Sequence, residues 1–313
     1  MDGLSLEIRY MSNEMKISKI SKKFNSSCNY MKSGKVISIY DKVVNIMTDK
    51  GLFAIQESSI PFTPFTILLA DTCNVKALKL EPDDKIYFKN KEITSSKLKC
   101  TFENVQVVDT TLNIVSDYKF FKSMINWLID TLSSLLENIE SNENMNGLMD
   151  LAVHIHIKDD YITVNNNLPE TNLLDYLKGK FHNKDVYSEA FSSEIASLIG
   201  LGDGLTPSFD DFLVGLLSCL KFSGNDTDGL KSLYKNLSKT IERNLNSTTS
   251  VSAEFLNSAL SNEFSEPLLY FYNSINEFDD AKIKQALESI IKIGHSSGID
   301  SINGILFGLK LIY

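Results

Sequence analysis

The spacing of apolar positions divides the chain into two regimes. From Lys35 to about Val115 the apolar residues fall in short, largely β-branched runs. Val36, Ile37 and Ile39 form one, Val43, Val44 and Ile46 another, and Leu52-Phe53-Ala54-Ile55 follows an Asp49-Lys50-Gly51 turn. Runs of this length bounded by turn residues predict strands. Pro61 and Pro64 break the next connection, Phe65 to Leu69 resumes an apolar run, and Pro82-Asp83-Asp84 precedes Ile86-Tyr87-Phe88. Val105, Val107 and Val108 close the set, which predicts a small β-barrel or sandwich. Ahead of it, residues 1 to about 27 read as a polar arm with basic positions at Lys19, Lys22 and Lys23.

Near Asp117 the period changes. Phe120, Phe121, Met124, Trp127, Leu128, Leu132, Leu135 and Leu136 recur at helical spacing and predict a helix ending in the polar run Glu140 to Asn146. Val153, Ile155 and Ile157 then alternate with His154 and His156, and Tyr161 to Val164 reads as a partner strand. Most of the remainder predicts helices, with stripes through Leu230–Leu245, Phe255–Leu260 and Ile283–Ile291, and a last helix through Leu311. The fold class is therefore α+β: a β-rich domain over residues 1–115 and a mainly helical domain over 116–313.

A chain of 313 residues can bury a substantial core. Its formal charge of −9 and pI near 5.1 argue against a nucleic-acid partner. No apolar run is long enough for a membrane span, and the N-terminus lacks the apolar core of a signal peptide, which predicts a cytoplasmic protein. Cys28, Cys73, Cys100 and Cys219 are widely separated and read as reduced thiols.

Chemistry concentrates first in Ile199 to Gly215. Gly200, Gly202 and Gly204 allow positive φ or close approach to a ligand, and Thr206-Pro207 predicts a helix start with Thr206 as its cap. Free amides near Ser208 and Phe209 would then form an anion cradle at the helix end. Asp210 and Asp211 would repel a bare anion, so either a metal such as Mg2+ lies between or the acids hold N–H groups of a ligand. The plainer alternative, that both acids only offset the helix dipole, is weakened by the three adjacent glycines. Neither a P-loop nor a dinucleotide fingerprint fits: no lysine follows Gly204, and the glycine spacing differs.

A second cluster is Gly294-His295-Ser296-Ser297-Gly298-Ile299-Asp300, between two helical stretches. There His295 could stabilise an oxyanion or move a proton, or simply bond a helix-end carbonyl. Gly304 and Gly308, four apart, fit close helix packing better than ligand binding. A third, hydroxyl-rich stretch runs from Asn246 to Ser252. Thr249 is its candidate ligand group and Arg243, just upstream, a candidate carboxylate or phosphate clamp. The strand histidines lack an evident third ligand and read as a surface pair. No Gly-x-Ser-x-Gly elbow is present, which weighs against a serine hydrolase.

Gly202-Asp203-Gly204-Leu205-Thr206-Pro207-Ser208-Phe209-Asp210-Asp211-Phe212-Leu213 resembles the Gly-Pro-Gly-Leu-Thr-Pro-Ser-Gly-Asp-Asp-Phe-Leu signature of a bacterial family that includes AllH, a subunit assigned to oxamate carbamoyltransferase. Gly294 to Asp300 is similar to that family's Gly-His-Ser/Thr-Ser-Gly-x-Asp, and weaker similarity covers Lys35 to Ile55 and Thr248 to Ala259. Two positions depart: Asp203 replaces a proline and Phe209 a glycine, which implies a looser loop and a bulkier site.

The resemblance implies a role in purine or allantoin breakdown, with oxalurate and phosphate yielding oxamate and carbamoyl phosphate. Partners would be an FdrA-like subunit and a second small subunit. It implies catalytic roles for His295, Asp210 and Asp211, with Asp210 and Asp211 as a candidate Mg2+ pair. It implies substrate contacts from Gly202, Gly204, Thr206, Ser208, Thr249, Ser296, Ser297 and Asp300, to which Arg243 is added from its position alone. The alternatives are a non-catalytic scaffold subunit and a Mg2+-dependent amide hydrolase or ligase.

Overall fold

The computed structural model describes residues 14–140, short strands between 152 and 172, and residues 188–313 apart from 225. Two compact units result, residues 1–110 and 111–313. The first is a β-barrel followed in the chain by the mainly helical second, so the protein is α+β.

The barrel comprises β1 (Glu14–Ser21), β2 (Ser33–Ile39), β3 (Val43–Thr48), β4 (Gly51–Gln56), β5 (Thr66–Leu69), β6 (Lys85–Lys89), β7 (Glu92–Thr94), β8 (Lys99–Thr101) and β9 (Gln106–Val108). The strand order is β5-β4-β3-β2-β6-β7-β8-β1-β9, and an additional β5–β1 pairing closes the sheet on itself. β6 shows why these residues make strands: Ile86 and Phe88 point inward while Lys85, Tyr87 and Lys89 stay exposed, a period of two. A short helix, α1 (Lys22–Ser27), places Phe24 inside the barrel with its ring edge-on to Phe53 at 5.2 Å and Phe102 at 5.3 Å.

The polar arm expected at the N-terminus is, from residue 14 onward, a central strand. β1 pairs with β5, β8 and β9. Met15 and Ile17 alternate inward, and a register shift between Ile17 and Lys19 resets the phase so that Ile20 is buried too. Such a bulge blurs the alternation that sequence reading depends on. Residues 1–13 of that arm lie outside the described residues. β7 and β8, three residues each, also escape the sequence pattern.

In the second unit, α2 (Tyr118–Glu140) follows the predicted stripe; the polar run after Glu140 lies outside the described residues. The strand Ile155–Lys158 pairs antiparallel with Tyr161–Val164, the hairpin expected there, while His154 lies outside the described residues. The helices that follow are α3 (Glu189–Leu198), α4 (Ser208–Phe222), α5 (Asp228–Asn244), α6 (Ser250–Leu260), α7 (Glu266–Asn276), α8 (Asp280–Ile291) and α9 (Ser297–Ile312). The unit is built around α4, in which every residue but Lys221 is buried. α9 is buried except at Ser297 and Lys310.

These two helices touch backbone to backbone. A Cβ on Gly215 would lie 2.0 Å from the Ser301 carbonyl oxygen, one on Gly304 would lie 2.0 Å from that of Phe212, and one on Gly308 would lie 2.8 Å from Cys219 Cβ. Phe212 meets Gly304 and Cys219 meets Gly308, so both chains advance in the same general direction and their N-termini lie at the same end. The packing role expected of Gly304 and Gly308 is thus observed.

Gly304→Ala and Gly215→Ala should each destabilise the protein by about 3 kcal/mol, the upper range of overpacking costs, read from urea midpoints. Gly204→Ala, whose Cβ would meet nothing, should cost only the roughly 1–2 kcal/mol of a positive φ.

Candidate functional site

Between α3 and α4 the chain makes a tight loop, with Gly200, Gly202 and Gly204 at φ of 84°, 120° and 90°. These values favour glycine, and two of the three positions are also sterically closed. A Cβ on Gly200 would lie 2.4 Å from the Ser247 carbonyl oxygen, and one on Gly202 would lie 2.5 Å from the Ser208 nitrogen. Gly204 stands at the exposed tip between Asp203 and Leu205, which are also exposed.

The helix start differs from the expectation. Pro207, not Thr206, caps α4, and no side chain bonds the helix end. The Thr206 hydroxyl is committed elsewhere, 2.9 Å from that of Ser297. The Phe209 amide, expected to face a ligand, donates to the Leu201 carbonyl at 3.1 Å, and Gly202 lies over the Ser208 amide. The loop therefore closes the helix end with its own atoms, and the open anion cradle is corrected. Phe209 does not enlarge the site either: it is fully buried and stacked on Phe212 at 5.6 Å, because position 209 faces the helical core.

Asp210 and Asp211 have different surroundings. Asp210 is 1% exposed. Its Oδ1 accepts the Gly200 N–H at 2.9 Å, and its Oδ2 accepts the Thr248 hydroxyl at 2.5 Å and the Ser252 hydroxyl at 2.6 Å. One carboxylate thus joins the glycine loop, the segment entering α6 and the first turn of α4. Charge-assisted bonds of this kind are the stronger class. Thr249 reinforces the junction: its hydroxyl accepts the Ser252 amide as the cap of α6 and is hydrogen-bonded to the Leu205 carbonyl.

Asp211 lies beside the hydroxyls of Ser297 and Thr206, close enough for them to favour its charged form, with Asp300 and Asp210 close enough to act on it electrostatically. Its Oδ2 is buried without a hydrogen-bond partner. Burial pushes this carboxyl well above the usual aspartate range; the Ser297 and Thr206 hydroxyls pull it back, and the negative charges of Asp300 and Asp210 add to the rise. Asp300 is fully buried in the first turn of α9. The motif near residue 206 and that near residue 297 are therefore one cluster, through Thr206, Asp211, Ser297 and Asp300.

The other predicted residues lie around or away from this cluster. Ser208 is buried as the first residue of α4, and Ser296 is the half-buried cap of α9, its carbonyl accepting the Asp300 amide at 2.9 Å. His295 is exposed in the turn before α9, two residues from Ser297, and Arg243 is exposed on the last turn of α5. Among the described residues no group of three or more His, Cys, Asp or Glu is placed to hold a metal. With both Asp210 oxygens occupied, the Asp210–Asp211 pair does not fit a Mg2+ site. Thr248 and Ser252, which the sequence-based site omitted, are the residues that complete it. Their signal was their place in the hydroxyl-rich stretch, Thr248 just before the cap of α6 and Ser252 in its first turn. A groove of about 560 Å3 between α2 and α8, lined by Trp127, Leu135, Lys284 and Leu287 among others, shares no residue with the cluster.

Family models match residues 198–309, described as oxamate carbamoyltransferase subunit AllH, and residues 11–107, described as the AllH family N-terminal domain. The chain belongs to the AllH family. The first AllH match takes in the glycine loop, the α6 junction and the His295 turn together, and the second takes in the barrel. No solved structure matches the chain. Among the described residues no helix is long and apolar enough to cross a membrane.

Two consequences of this AllH geometry can be measured. Asp210→Ala removes three bonds to a charged group and should cost at least about 2 kcal/mol, with faster amide exchange at Gly200. The folded Asp211 carboxyl has a raised proton affinity, so its contribution to stability is full below the unfolded value near pH ~3.9 and is lost as pH rises towards the folded value. Asp211→Asn should flatten that fall and gain on the wild type as pH increases, in urea titrations run from acid to neutral pH.

Proposed function

We propose that this chain is a substrate-binding subunit of a carbamoyltransferase that interconverts oxalurate plus phosphate with oxamate plus carbamoyl phosphate, in purine (allantoin) catabolism. It acts with an FdrA-like subunit and a second small subunit. Membership of the AllH family supports the subunit role. The observation that carries the reading is the convergence of Thr206, Asp211 and Ser297, polar groups from two distant motifs, around a buried carboxyl oxygen that lacks a partner.

Phosphorolysis of a ureido carbonyl requires three things: an oriented amide end, a polarised carbonyl oxygen and a nearby group to carry a proton. A carboxyl oxygen accepts amide N–H groups, and the paired hydroxyls of Thr206 and Ser297 can turn towards a carbonyl. His295, exposed in the turn before α9 two residues from Ser297, is the proposed group for oxyanion stabilisation or proton transfer. Asp300, Ser296, Ser208, Gly202 and Gly204 are the proposed surroundings of the substrate, and Arg243 the proposed contact for its anionic end. The attacking phosphate oxygen forms a bond to the ureido carbonyl carbon, the bond from that carbon to the oxamate nitrogen breaks, and the nitrogen takes up a proton.

Calorimetry should show oxamate, oxalurate or carbamoyl phosphate binding to the complete subunit mixture, weakened roughly tenfold by Asp211→Asn. Absence of binding by both the pure protein and the mixture would reject the reading. A scaffold role is favoured by the exposure of His295 and Leu205 at the loop tips, where a partner could dock. His295→Ala separates the two: a complex that assembles normally but loses turnover supports the binding and catalytic role, whereas assembly lost in proportion to activity supports the scaffold.

A further inference from the structure

The adjacent acids at the start of α4 differ in what they leave for a ligand. Both oxygens of Asp210 are taken, by the Gly200 amide and by the Thr248 and Ser252 hydroxyls. Asp211, one residue on, is 8% exposed and keeps its Oδ2 without a hydrogen-bond partner. A buried acceptor left in this state destabilises the fold unless a donor is supplied. The packing of α4 does not call for an acid here, since Phe212 and Leu213 continue an apolar core.

We propose that Asp211 is the specificity-determining residue of the site, its Oδ2 accepting an N–H of an amide or ureido ligand. Asp210 is a positioning residue that holds the Gly200–Pro207 loop in place around it. The assignment rests on the proposed function for its choice of ligands and does not depend on the transfer chemistry. The Thr206 and Ser297 hydroxyls bond each other, so one of their hydrogens is free to turn, and the carboxyl they flank is left as the acceptor. A second ligand carboxylate in the same place would offer Oδ2 no N–H and would add negative charge beside Asp300 and Asp210. The site therefore distinguishes NH2 from O−.

Oxamate and oxalate form the matching probe pair, nearly equal in size and differing by that one group. Titrated calorimetrically into the complete wild-type complex, oxamate should bind about 100-fold more tightly than oxalate. Asp211→Ala should bring the ratio to within about threefold of unity, and the nearly isosteric Asp211→Asn should reduce it at least about tenfold. Asp210→Asn keeps an amide oxygen for Gly200 and turns its NH2 towards the two hydroxyls. It should weaken both ligands equally and leave the ratio unchanged, which a generally loosened fold would not do selectively. Thermal melts of each variant establish that it is folded.

Equal binding of the two ligands by the wild type would overturn the assignment, as would a ratio that survives in both Asp211 variants or shifts in Asp210→Asn. Failure of the complex to bind either ligand overturns it as well. Carbamoyl transfer is assayed separately. Loss of the transferase reading shows as absent turnover with the ratio intact, and loss of this assignment as turnover with a ratio that the Asp211 variants do not move.

Discussion

The backbone contact between α4 and α9 is the constraint on which the helical unit depends. Gly215 and Gly304 each remove a Cβ that would sit 2.0 Å from a carbonyl oxygen of the other helix. Side chains of any size would hold the axes farther apart. At the observed separation the first turns of the two helices are neighbours, and residues 206–211 reach residues 297–300 without any intervening element. The site is therefore a product of helix packing first and of loop chemistry second.

Two helix N-termini at one end concentrate partial positive charge, and acids in the first turns offset it. Asp210, Asp211 and Asp300 all occupy such positions. Asp210 does more than offset the dipole, because its three donors come from the glycine loop, the Thr248 segment and α6. The glycine loop is closed over the helix end by the Phe209–Leu201 bond and held against α6 by this carboxylate. A segment that reads in sequence as a flexible anion loop is in the fold a braced wall.

Much of this was legible in the chain. The β-to-helix change near residue 117, the stripes of α2, α5, α6 and α8, and the close packing of Gly304 and Gly308 all follow from local spacing. Other features depend on long-range partners. β1 was obscured because a bulge breaks its alternation at Lys19, and its stability comes from pairing with β5, β8 and β9 rather than from composition. Thr206 reads in sequence as the cap of α4, one residue early, because its hydroxyl is engaged by Ser297, 91 positions away. The same holds for Thr248 and Ser252: a hydroxyl beside a helix start reads as a cap until the carboxylate it serves is located.

The dipole argument does not extend equally to Asp211. An acid offsets a helix dipole only while it is ionised, and burial together with the nearby charges of Asp300 and Asp210 drives Asp211 towards the neutral form. A neutral carboxyl contributes little to the dipole, and an oxygen without a partner contributes nothing to the hydrogen-bond network. Asparagine or a small apolar residue would fill the position at lower cost to the apo fold. The acid at 211 is thus a local expense in stability at a place where two sequence motifs converge, and a ligand that supplies the missing donor is the physical condition under which that expense is recovered.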